Sequence, residues 1–309
     1  FQNRSAAIGK NRGMAGRFAP SPTSELHLGN LRTALVAWLA ARSTGRAFLL
    51  RIEDLDTQRV AAAPAVAAGQ IADLAELGLD FDGEVVWQSQ RLSLYADAIA
   101  RLDVYECFCT RREIAEAASA PHGDSYRPYP GTCAGLSDAQ RGQRRLTRPP
   151  AWRVRAGGAV QTVTDVLAGE VTGVVDDFVV MRNDGVPAYN LAVVVDDIAQ
   201  GVDQVVRGDD LLASSPRQAW LTGRLGAQVP EYLHVPLVVN SEGKRLAKRH
   251  GAVTLADLRA SGVGPGTVLT MLAHSLGLAS EGEAVNSSEL IERFDPSELP
   301  RDPWVAPSH

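Results

Sequence analysis

Apolar positions in the first hundred residues switch repeatedly between strand-like runs and helical spacing. Gly16–Ala19 and Ala47–Ile52 are short apolar runs, and the second has the unbroken pattern of a parallel strand that is buried on both faces. Between them, Leu28–Arg42 carries apolar residues at helical spacing. A helix, a short strand and another helix are predicted next, at Pro64–Leu77, Val85–Trp87 and Leu92–Leu102. This alternation predicts an α/β fold with a doubly wound, Rossmann-type parallel sheet.

The alternation stops at Tyr105 and resumes after Pro187. Short strands are predicted between these points, at Ala151–Arg155 and Glu170–Val180. After Pro187, the predicted elements are Tyr189–Val195, Gln204–Val206, a helix at Leu211–Arg224 and a strand at His234–Val238. We therefore interpret residues 105–187 as an insertion. It splits the sheet domain into two halves, residues 14–104 and 188–250.

Both ends of the chain differ from the sheet domain. Beyond residue 250 the pattern is helical only, with candidate helices at Leu255–Ala260 and Val268–Leu278, which predicts a small helical region over residues 251–309. Residues 1–13 are polar and lack a pattern, so they are expected to be a tag or an extension ahead of Met14.

Composition narrows the function classes. A chain of 309 residues with 45% hydrophobic and 22% charged residues has ample material for a core. No stretch approaches the roughly 18 apolar residues of a membrane span, so no membrane role is expected. Three cysteines argue against a disulfide framework and favour a reducing compartment, the cytoplasm. The net charge of -5 excludes a chain-wide basic surface, so any nucleic-acid contact is local. Arg141–Arg155 is the candidate stretch, and a solvated turn is its alternative.

The strongest motif is Arg17–Thr23 followed by His27–Asn30, where a strand turns directly into a helix. Such a helix N-terminus offers free backbone N–H groups and a positive dipole end to a phosphate. Gly29 permits close approach of a ligand, and His27 is placed to donate to a phosphoryl oxygen. In isolation, the same residues would indicate a tight loop with a capping histidine.

A second basic motif spans Gly243–Arg249 and contains Lys248. In isolation it would be a solvated turn. Combined with His27, it suits attack of a carboxylate on the α-phosphorus of ATP, because donors and cations stabilise the negative charge that develops there. A loop of this kind can close over a triphosphate.

Three separated segments resemble the class I aminoacyl-tRNA synthetases of the glutamate type. In chain order they are Arg17–Thr23 with His27–Asn30, Arg51–Asp56, and Arg245–Ala252. The last segment departs from the family pattern, since Arg245 replaces a usual lysine and Ala247 a usual serine, whereas Lys248 is retained. The resemblance implies a class I synthetase fold that uses ATP with Mg²⁺ and L-glutamate.

The resemblance also implies roles for individual residues. His27 and Lys248 would be catalytic and, with Gly29 and Asn30, would bind ATP. The expected glutamate-binding residues are Arg17, Ser21, Glu53, Tyr189 and Arg207. An arginine suits a carboxylate by bidentate geometry, a glutamate suits the substrate ammonium, and a serine adds a hydroxyl contact. The roles of Tyr189 and Arg207 rest on the resemblance alone.

Three cysteines lie within a 27-residue segment, at Cys107, Cys109 and Cys133. Three thiolates in a cytosolic protein favour one structural zinc ion with a fourth ligand. Ligand chemistry favours His122 as that ligand. Resemblance to a shortened paralogue of the family favours Tyr129, which stands four residues before the last cysteine. The alternative is three reduced cysteines without a metal.

Only 61 residues follow Lys248, too few for the anticodon-binding region of full-length glutamyl-tRNA synthetases. The short length and the tyrosine pattern resemble the shortened paralogues, which attach glutamate to queuosine in the anticodon loop of tRNA(Asp). The implied partner is therefore tRNA(Asp) bearing queuosine. Two alternatives stay open: a catalytic fragment of a glutamyl-tRNA synthetase that charges a tRNA 3′ end, and a catalytically silent synthetase-like binding protein.

Overall fold

The computed structural model describes residues 14–56, 63–110, 112–114, 128–246 and 253–306. The strands are β1 (Ala15–Phe18), β2 (Ala47–Ile52), β3 (Val86–Trp87), β4 (Val104–Cys107), β5 (Ala151–Val154), β6 (Ala159–Asp165), β7 (Gly169–Val175), β8 (Val179–Met181), β9 (Val202–Gly208), β10 (Glu231–Val235), β11 (Val238–Val239) and β12 (Trp304–Val305).

The α-helices are α1 (Leu28–Ser43), α2 (Ala63–Glu76), α3 (Leu92–Ala100), α4 (Asp138–Arg145), α5 (Tyr189–Ala199), α6 (Ser215–Arg224), α7 (Leu255–Ala260), α8 (Pro265–Ser275) and α9 (Ser287–Arg293). Short 3₁₀ turns lie at Gln88–Gln90, Asp209–Ser214 and Pro296–Glu298. Within the described ranges, none of the helices has the length and apolar character that a membrane crossing requires.

The central sheet has seven strands in the order β3-β2-β1-β9-β10-β6-β7. All neighbours are parallel except the antiparallel pair β6 and β7. Because β1 and β9 are neighbours although they are distant in sequence, the winding direction of the sheet reverses between them. In open α/β sheets such a reversal leaves a crevice at the carboxyl ends of the strands, where ligands bind.

Helix α1 is the centre of the largest apolar cluster. Its side chains are buried on almost every side, including Leu28, Leu31, Leu35 and Leu39. A helix that is apolar all round must be covered on both faces. The sheet covers one face of α1, and α8 and α9 pack on it as well. The C-terminal helices therefore belong to the same core as the sheet.

The prediction of a parallel sheet with alternating helices is confirmed. Residues 105–187 contribute to two sheets: β4, β5 and β8 form an antiparallel sheet of three strands, and β6 joins the central sheet where Asp165 pairs with Tyr232. The predicted strand Glu170–Val180 is wrong, because it is two strands in different sheets. The Asp177 carboxylate accepts hydrogen bonds from the N–H groups of Ala156 and Gly157 at the point where the chain changes sheets. The domain boundaries stay a prediction.

The prediction that the C-terminal region is helical only is also wrong. Strand β12 runs parallel to β11, and the Trp304 N–H donates to the Leu237 carbonyl at 3.0 Å. A strand of two residues is too short to show the alternation of apolar and polar positions, so the sequence pattern does not predict it.

Candidate active site

A cavity of about 520 Å³ opens at the carboxyl ends of β1, β2 and β9. The predicted site residues that line it are Ser21, His27, Gly29, Asn30, Glu53, Tyr189 and Arg207. Arg17 lines a smaller cavity of about 80 Å³, whose walls also include Glu53, Tyr189 and Arg207. The residues predicted for ATP and glutamate therefore surround one continuous region of the structure, apart from Lys248, which lies outside the described residues.

His27 caps the N-terminus of α1. Its Nδ1 accepts hydrogen bonds from the N–H groups of Gly29 and Asn30, at 3.1 and 3.3 Å. A ring nitrogen that accepts carries no proton, so the hydrogen bonds assign the neutral ring with its proton on Nε2. Burial lowers the pKa of His27, and the nearby Arg245 guanidinium lowers it further. His27 therefore stays neutral near pH 7 and offers Nε2–H as a donor.

Gly29 and Asn30 serve this cap directly. A Cβ on Gly29 would lie 3.0 Å from the Cε1 atom of His27, so a side chain there would displace the imidazole. The Asn30 Oδ1 accepts a hydrogen bond from the His27 N–H at 3.2 Å, which completes a reciprocal capping arrangement. Both residues therefore hold the histidine ring in place at the helix N-terminus.

Arg17 is buried and held by a carboxylate from α5. Its Nε donates to the Asp197 Oδ1 at 3.1 Å, and its Nη1 donates to the Val206 carbonyl at 3.2 Å. Arg51 donates from Nη1 to the same Asp197 oxygen at 2.7 Å. Burial alone would raise the pKa of Asp197, but the two guanidinium groups hold it below its usual value. Within the part of the chain that the structure describes, the Nη2 of Arg17 forms no hydrogen bond, and Arg17 lines the smaller cavity.

Glu53 lies directly after β2 and faces the cavity. Its side chain is 14% exposed, and its Oε1 accepts from the Arg51 Nη2 at 3.3 Å. Burial raises the pKa of Glu53, and Arg51 and Arg17 offset only part of this. A second cation, such as a substrate ammonium, would stabilise the ionised carboxylate. Tyr189, at the start of α5, is 42% exposed and lines the same cavity.

Arg207 is 6% exposed, and its hydrogen bonds go to an imidazole, an amide, a hydroxyl and a carbonyl group. Its Nε donates to the His234 Nε2 at 3.0 Å, and its Nη1 donates to the Gln218 Oε1 at 2.6 Å. Its Nη2 donates to the Ser215 Oγ at 2.8 Å. Among the described residues no carboxylate contacts this guanidinium. A buried cation in such surroundings is suited to bind the carboxylate of a ligand.

The loop that carries Ser21 is fixed by α2. The Gln70 Nε2 donates to the carbonyl groups of Ser21 and Ser24, at 3.2 and 2.8 Å. The sequence analysis missed Gln70 and Asp197, and it included Arg51 in a motif without giving it a role. One signal for Asp197 was available, because two adjacent aspartates interrupt the apolar sequence of α5.

The second basic motif begins as a tight turn after β11. The Asn240 Oδ1 accepts from the N–H groups of Glu242 and Lys244, and Gly243 has a φ of 73° that favours glycine. Arg245 lines the main cavity and pairs with Asp210. It therefore places one cation of this motif beside the cap of α1. Ala247 and Lys248 lie outside the described residues.

The three cysteines and Tyr129 form a separate cluster. The Sγ atoms of Cys107, Cys109 and Cys133 lie within 4.8 Å of one another, and the Cys109 and Cys133 atoms are 3.6 Å apart. The Tyr129 hydroxyl lies 3.4 Å from the Cys107 Sγ and 3.8 Å from the Cys109 Sγ. A tetrahedral zinc ion spaces its sulfur ligands by about 3.8 Å, so this cluster can hold a metal ion. His122 lies outside the described residues.

Most arginines of the basic stretch form bonds within the region around the cysteines. Arg145 forms an ion pair with Glu106 at 2.8 Å, and Arg153 donates to the Asp177 carbonyl at 2.7 Å. Three others donate in the same way, Arg144 to the Cys133 Sγ, Arg148 to the Phe108 carbonyl and Arg155 to the Ala134 carbonyl. These contacts stabilise the local fold. A phosphate contact of the stretch stays a prediction.

Comparisons with known proteins identify the family to which this fold belongs. The family described as tRNA synthetases class I (E and Q), catalytic domain, matches residues 14–308. A glutamate tRNA ligase from Elizabethkingia meningosepticum, solved in complex with its amino acid, matches with a TM-score of 0.76 and 27% identity, covering 94% of this chain and 66% of that chain. This chain thus spans about two thirds of that ligase. The fold and site define a class I tRNA synthetase catalytic domain.

Curated relatives narrow the assignment. The glutamyl-Q tRNA(Asp) synthetase of Nocardia farcinica is 58% identical over 298 residues, covering 95% of this chain and 93% of the relative. That of Cutibacterium acnes is 56% identical, covering 93% of this chain and 86% of the relative. The chain belongs to the family of the glutamyl-Q tRNA(Asp) synthetases.

Proposed function

We propose that the protein activates L-glutamate with ATP and Mg²⁺ and transfers the glutamyl group to queuosine in the anticodon loop of tRNA(Asp). The observation that supports this most directly is the cavity that combines three groups: a buried Arg207 that no carboxylate of the described residues contacts, the Glu53 carboxylate, and the neutral His27 at the start of α1. The names of the relatives support the identity of the acceptor.

In the activation step, an α-carboxylate oxygen of glutamate attacks the α-phosphorus of ATP, and pyrophosphate leaves. Negative charge builds on the phosphoryl oxygens, where preorganised donors are most effective. The His27 Nε2–H, the N-terminus of α1 and Lys248 supply donors and cations to the phosphates. Arg17 and Arg207 bind the substrate carboxylates and Glu53 binds its ammonium, which fixes the orientation of the attack.

In the transfer step, a hydroxyl of the queuosine cyclopentene-diol attacks the carbonyl carbon of the adenylate. An ester bond forms, the bond between the carbonyl carbon and the adenylate phosphate oxygen breaks so that AMP leaves, and the hydroxyl proton passes to the departing AMP phosphate. The same cations that stabilise the adenylate stabilise the departing AMP phosphate. Glutamyl-adenylate is therefore the intermediate shared by the two steps.

The decisive experiment separates activation from transfer. Pyrophosphate exchange with L-glutamate is expected without any RNA. Labelled glutamate is then expected to attach to a tRNA(Asp) anticodon stem-loop that bears queuosine and has no acceptor end, whereas the same stem-loop with guanosine is the matched control. Exchange that requires RNA would contradict independent activation, and exchange that favours glutamine would contradict the carboxylate-binding roles.

Glutamyl-tRNA synthetase activity is the second candidate, because the structure also matches a glutamate tRNA ligase with a TM-score of 0.76. It predicts efficient charging of unmodified tRNA(Glu) at the 3′ end and no labelling of the queuosine stem-loop. That result would replace the proposed acceptor while leaving glutamate activation intact.

For the cysteine cluster we propose one structural zinc ion bound by Cys107, Cys109, Cys133 and Tyr129. The hydroxyl of Tyr129 lies at distances from two thiols that match the roughly 3.5 Å expected between oxygen and sulfur ligands of one zinc ion. The Cys133 N–H donates to this hydroxyl oxygen at 2.8 Å, which orients the phenol and leaves the oxygen free to coordinate.

Replacing Tyr129 with Phe is expected to speed zinc loss during dialysis against a chelator, because one of four ligands is removed. His122→Ala is the matched control and is expected to retain zinc as the wild-type protein does. The zinc content per chain is measured during dialysis for both variants and for the wild-type protein. Faster zinc loss from His122→Ala than from Tyr129→Phe would identify His122 as the fourth ligand. A metal content near zero in freshly purified protein would contradict the proposed zinc site.

A further inference from the structure

We propose that His234, held in a single tautomer by Asp165, is a positioning residue for Arg207. This inference rests on the proposed function, in which the Arg207 guanidinium binds a substrate carboxylate. Neither His234 nor Asp165 lines the main cavity, so both act through Arg207 and not on the substrate.

The three side chains form a continuous buried row. Asp165 and His234 are 1% and 2% exposed, and the His234 Nδ1 lies 2.7 Å from the Asp165 Oδ2. On the opposite side of the ring, the Nε2 of His234 lies 3.0 Å from the Arg207 Nε and 3.2 Å from the Ser215 Oγ. Arg207 therefore meets the ring at one nitrogen, and Asp165 meets it at the other.

Hydrogen-bond chemistry leaves one assignment for this ring. The Nε of Arg207 is always a donor, so the Nε2 of His234 must accept and carries no proton. The Asp165 carboxylate is an acceptor, so the proton of the neutral ring is on Nδ1. Ser215 is compatible with this assignment, because its hydroxyl oxygen accepts from the Arg207 Nη2 at 2.8 Å and its proton can share the Nε2 lone pair, at 3.2 Å, with the closer Arg207 Nε–H.

The Asp165 carboxylate is held in place by backbone hydrogen bonds. Its Oδ1 accepts from the N–H groups of Leu167 and Ala168, at 3.0 and 2.8 Å. Its Oδ2 also accepts from the His234 N–H at 3.0 Å. With the ring, four donors surround one carboxylate, which favours its ionised form. The carboxylate is thus a rigid acceptor that selects the Nδ1–H tautomer.

The tautomer matters because the alternative opposes Arg207. A ring with its proton on Nε2 would place an N–H against the Nε–H of Arg207, so the guanidinium would lose an acceptor and turn away. A buried donor left without an acceptor is costly, and a displacement of about 1 Å at a positioning group can cost about 10²-fold in rate. Asp165 and His234 therefore hold the Arg207 guanidinium in its orientation at the wall of the cavity.

Asp165→Asn tests the selection of the tautomer. In either orientation, the NH₂ group of the new amide meets backbone N–H groups that also donate. If the NH₂ group faces His234, it meets only the His234 N–H, because the imidazole can move its proton to Nε2 and accept at Nδ1. If it faces the other way, it meets the N–H groups of both Leu167 and Ala168. We expect the KM for glutamate in pyrophosphate exchange to rise by roughly 10- to 100-fold, while the KM for ATP and kcat stay within about 3-fold of wild type. An unchanged KM for glutamate would overturn the inference.

Two replacements of His234 separate positioning from packing. His234→Gln places an amide oxygen near the former Nε2 and keeps an acceptor for Arg207, so its KM for glutamate is expected within about 5-fold of wild type. His234→Asn reaches only the former Nδ1 position and removes that acceptor, so a rise of roughly 10- to 100-fold is expected. Equal KM values for the two variants would indicate a packing role and contradict the inference.

A spectroscopic measurement needs no substrate. Nitrogen-15 spectra of the imidazole rings are expected to show the Nδ1–H tautomer for His234, assigned by its disappearance in His234→Gln, and the Nε2–H tautomer in Asp165→Asn. An Nε2–H tautomer in the wild-type protein would overturn the inference. Absence of glutamate-dependent exchange in the wild-type protein would instead contradict the proposed function, so the two failures are distinguishable.

Discussion

Replacing Arg207 with Met is expected to lower kcat/KM for glutamate in pyrophosphate exchange by about 10³-fold. The side chain lines the cavity, and its neutral partners leave its charge available to the substrate. Loss of one partner of a buried, hydrogen-bonded charge pair costs roughly 2–5 kcal/mol, and about 4 kcal/mol corresponds to this factor. The KM for ATP is expected to change little, because His27 and the start of α1 are intact.

Two variants control for this result. Arg207→Lys keeps the charge but not the planar fork, so an intermediate loss is expected. Arg224→Met removes an exposed arginine that stacks on Trp220 and is expected to leave exchange unchanged. A loss in Arg207→Met of less than about 5-fold would assign the substrate carboxylate to another cation.

How much of the site the sequence predicts depends on how local each contact is. His27, Gly29 and Asn30 are neighbours in one helix cap, so their spacing alone indicates their geometry. The motif predicts a role for Arg17, but its carboxylate partner Asp197 is 180 residues away. No periodicity connects such distant residues, because the topology of the sheet brings them together.

The positions of Asp165 and His234 show the same limit. Asp165 ends β6, a strand that sequence reasoning did not predict, and His234 lies within a strand that was predicted without a role for this residue. The two meet only because β6 pairs with β10 at Tyr232. The predicted insertion concealed this pairing, since an inserted region was not expected to extend the central sheet.

The cysteine cluster was predictable because its residues are close in sequence and thiols have a narrow chemistry. The sequence could not choose between candidates for a fourth zinc ligand, because ligand chemistry favours His122 and family spacing favours Tyr129. In the structure the Tyr129 hydroxyl lies among the thiols, 3.4 Å from the Cys107 Sγ. That contact favours Tyr129 because of where its hydroxyl lies in the fold, which spacing along the sequence does not reveal.

Besides apolar packing, the C-terminal helices are linked to α1 by Arg32, a buried cation in that helix. Arg32 is 1% exposed. Its Nε donates to the Ser275 Oγ at 3.0 Å, its Nη2 to the Ser275 carbonyl at 3.2 Å, and its Nη1 to the Pro236 carbonyl at 2.9 Å. Burial lowers the pKa of Arg32 to about 10, which still leaves it charged near pH 7. One side chain thus joins the end of α8 to the loop after β10.

Arg32→Met is expected to lower the free energy of unfolding by about 3–5 kcal/mol, since two carbonyl groups and a hydroxyl lose their charged donor while the apolar stem is kept. Arg259→Met is the matched control, because its ion pair with Glu76 is exposed and such pairs contribute roughly 0–1 kcal/mol. Chemical denaturation of both variants measures the difference. If Arg32→Met lost less than about 1 kcal/mol, the C-terminal helices would be held to α1 by apolar packing and not by this guanidinium.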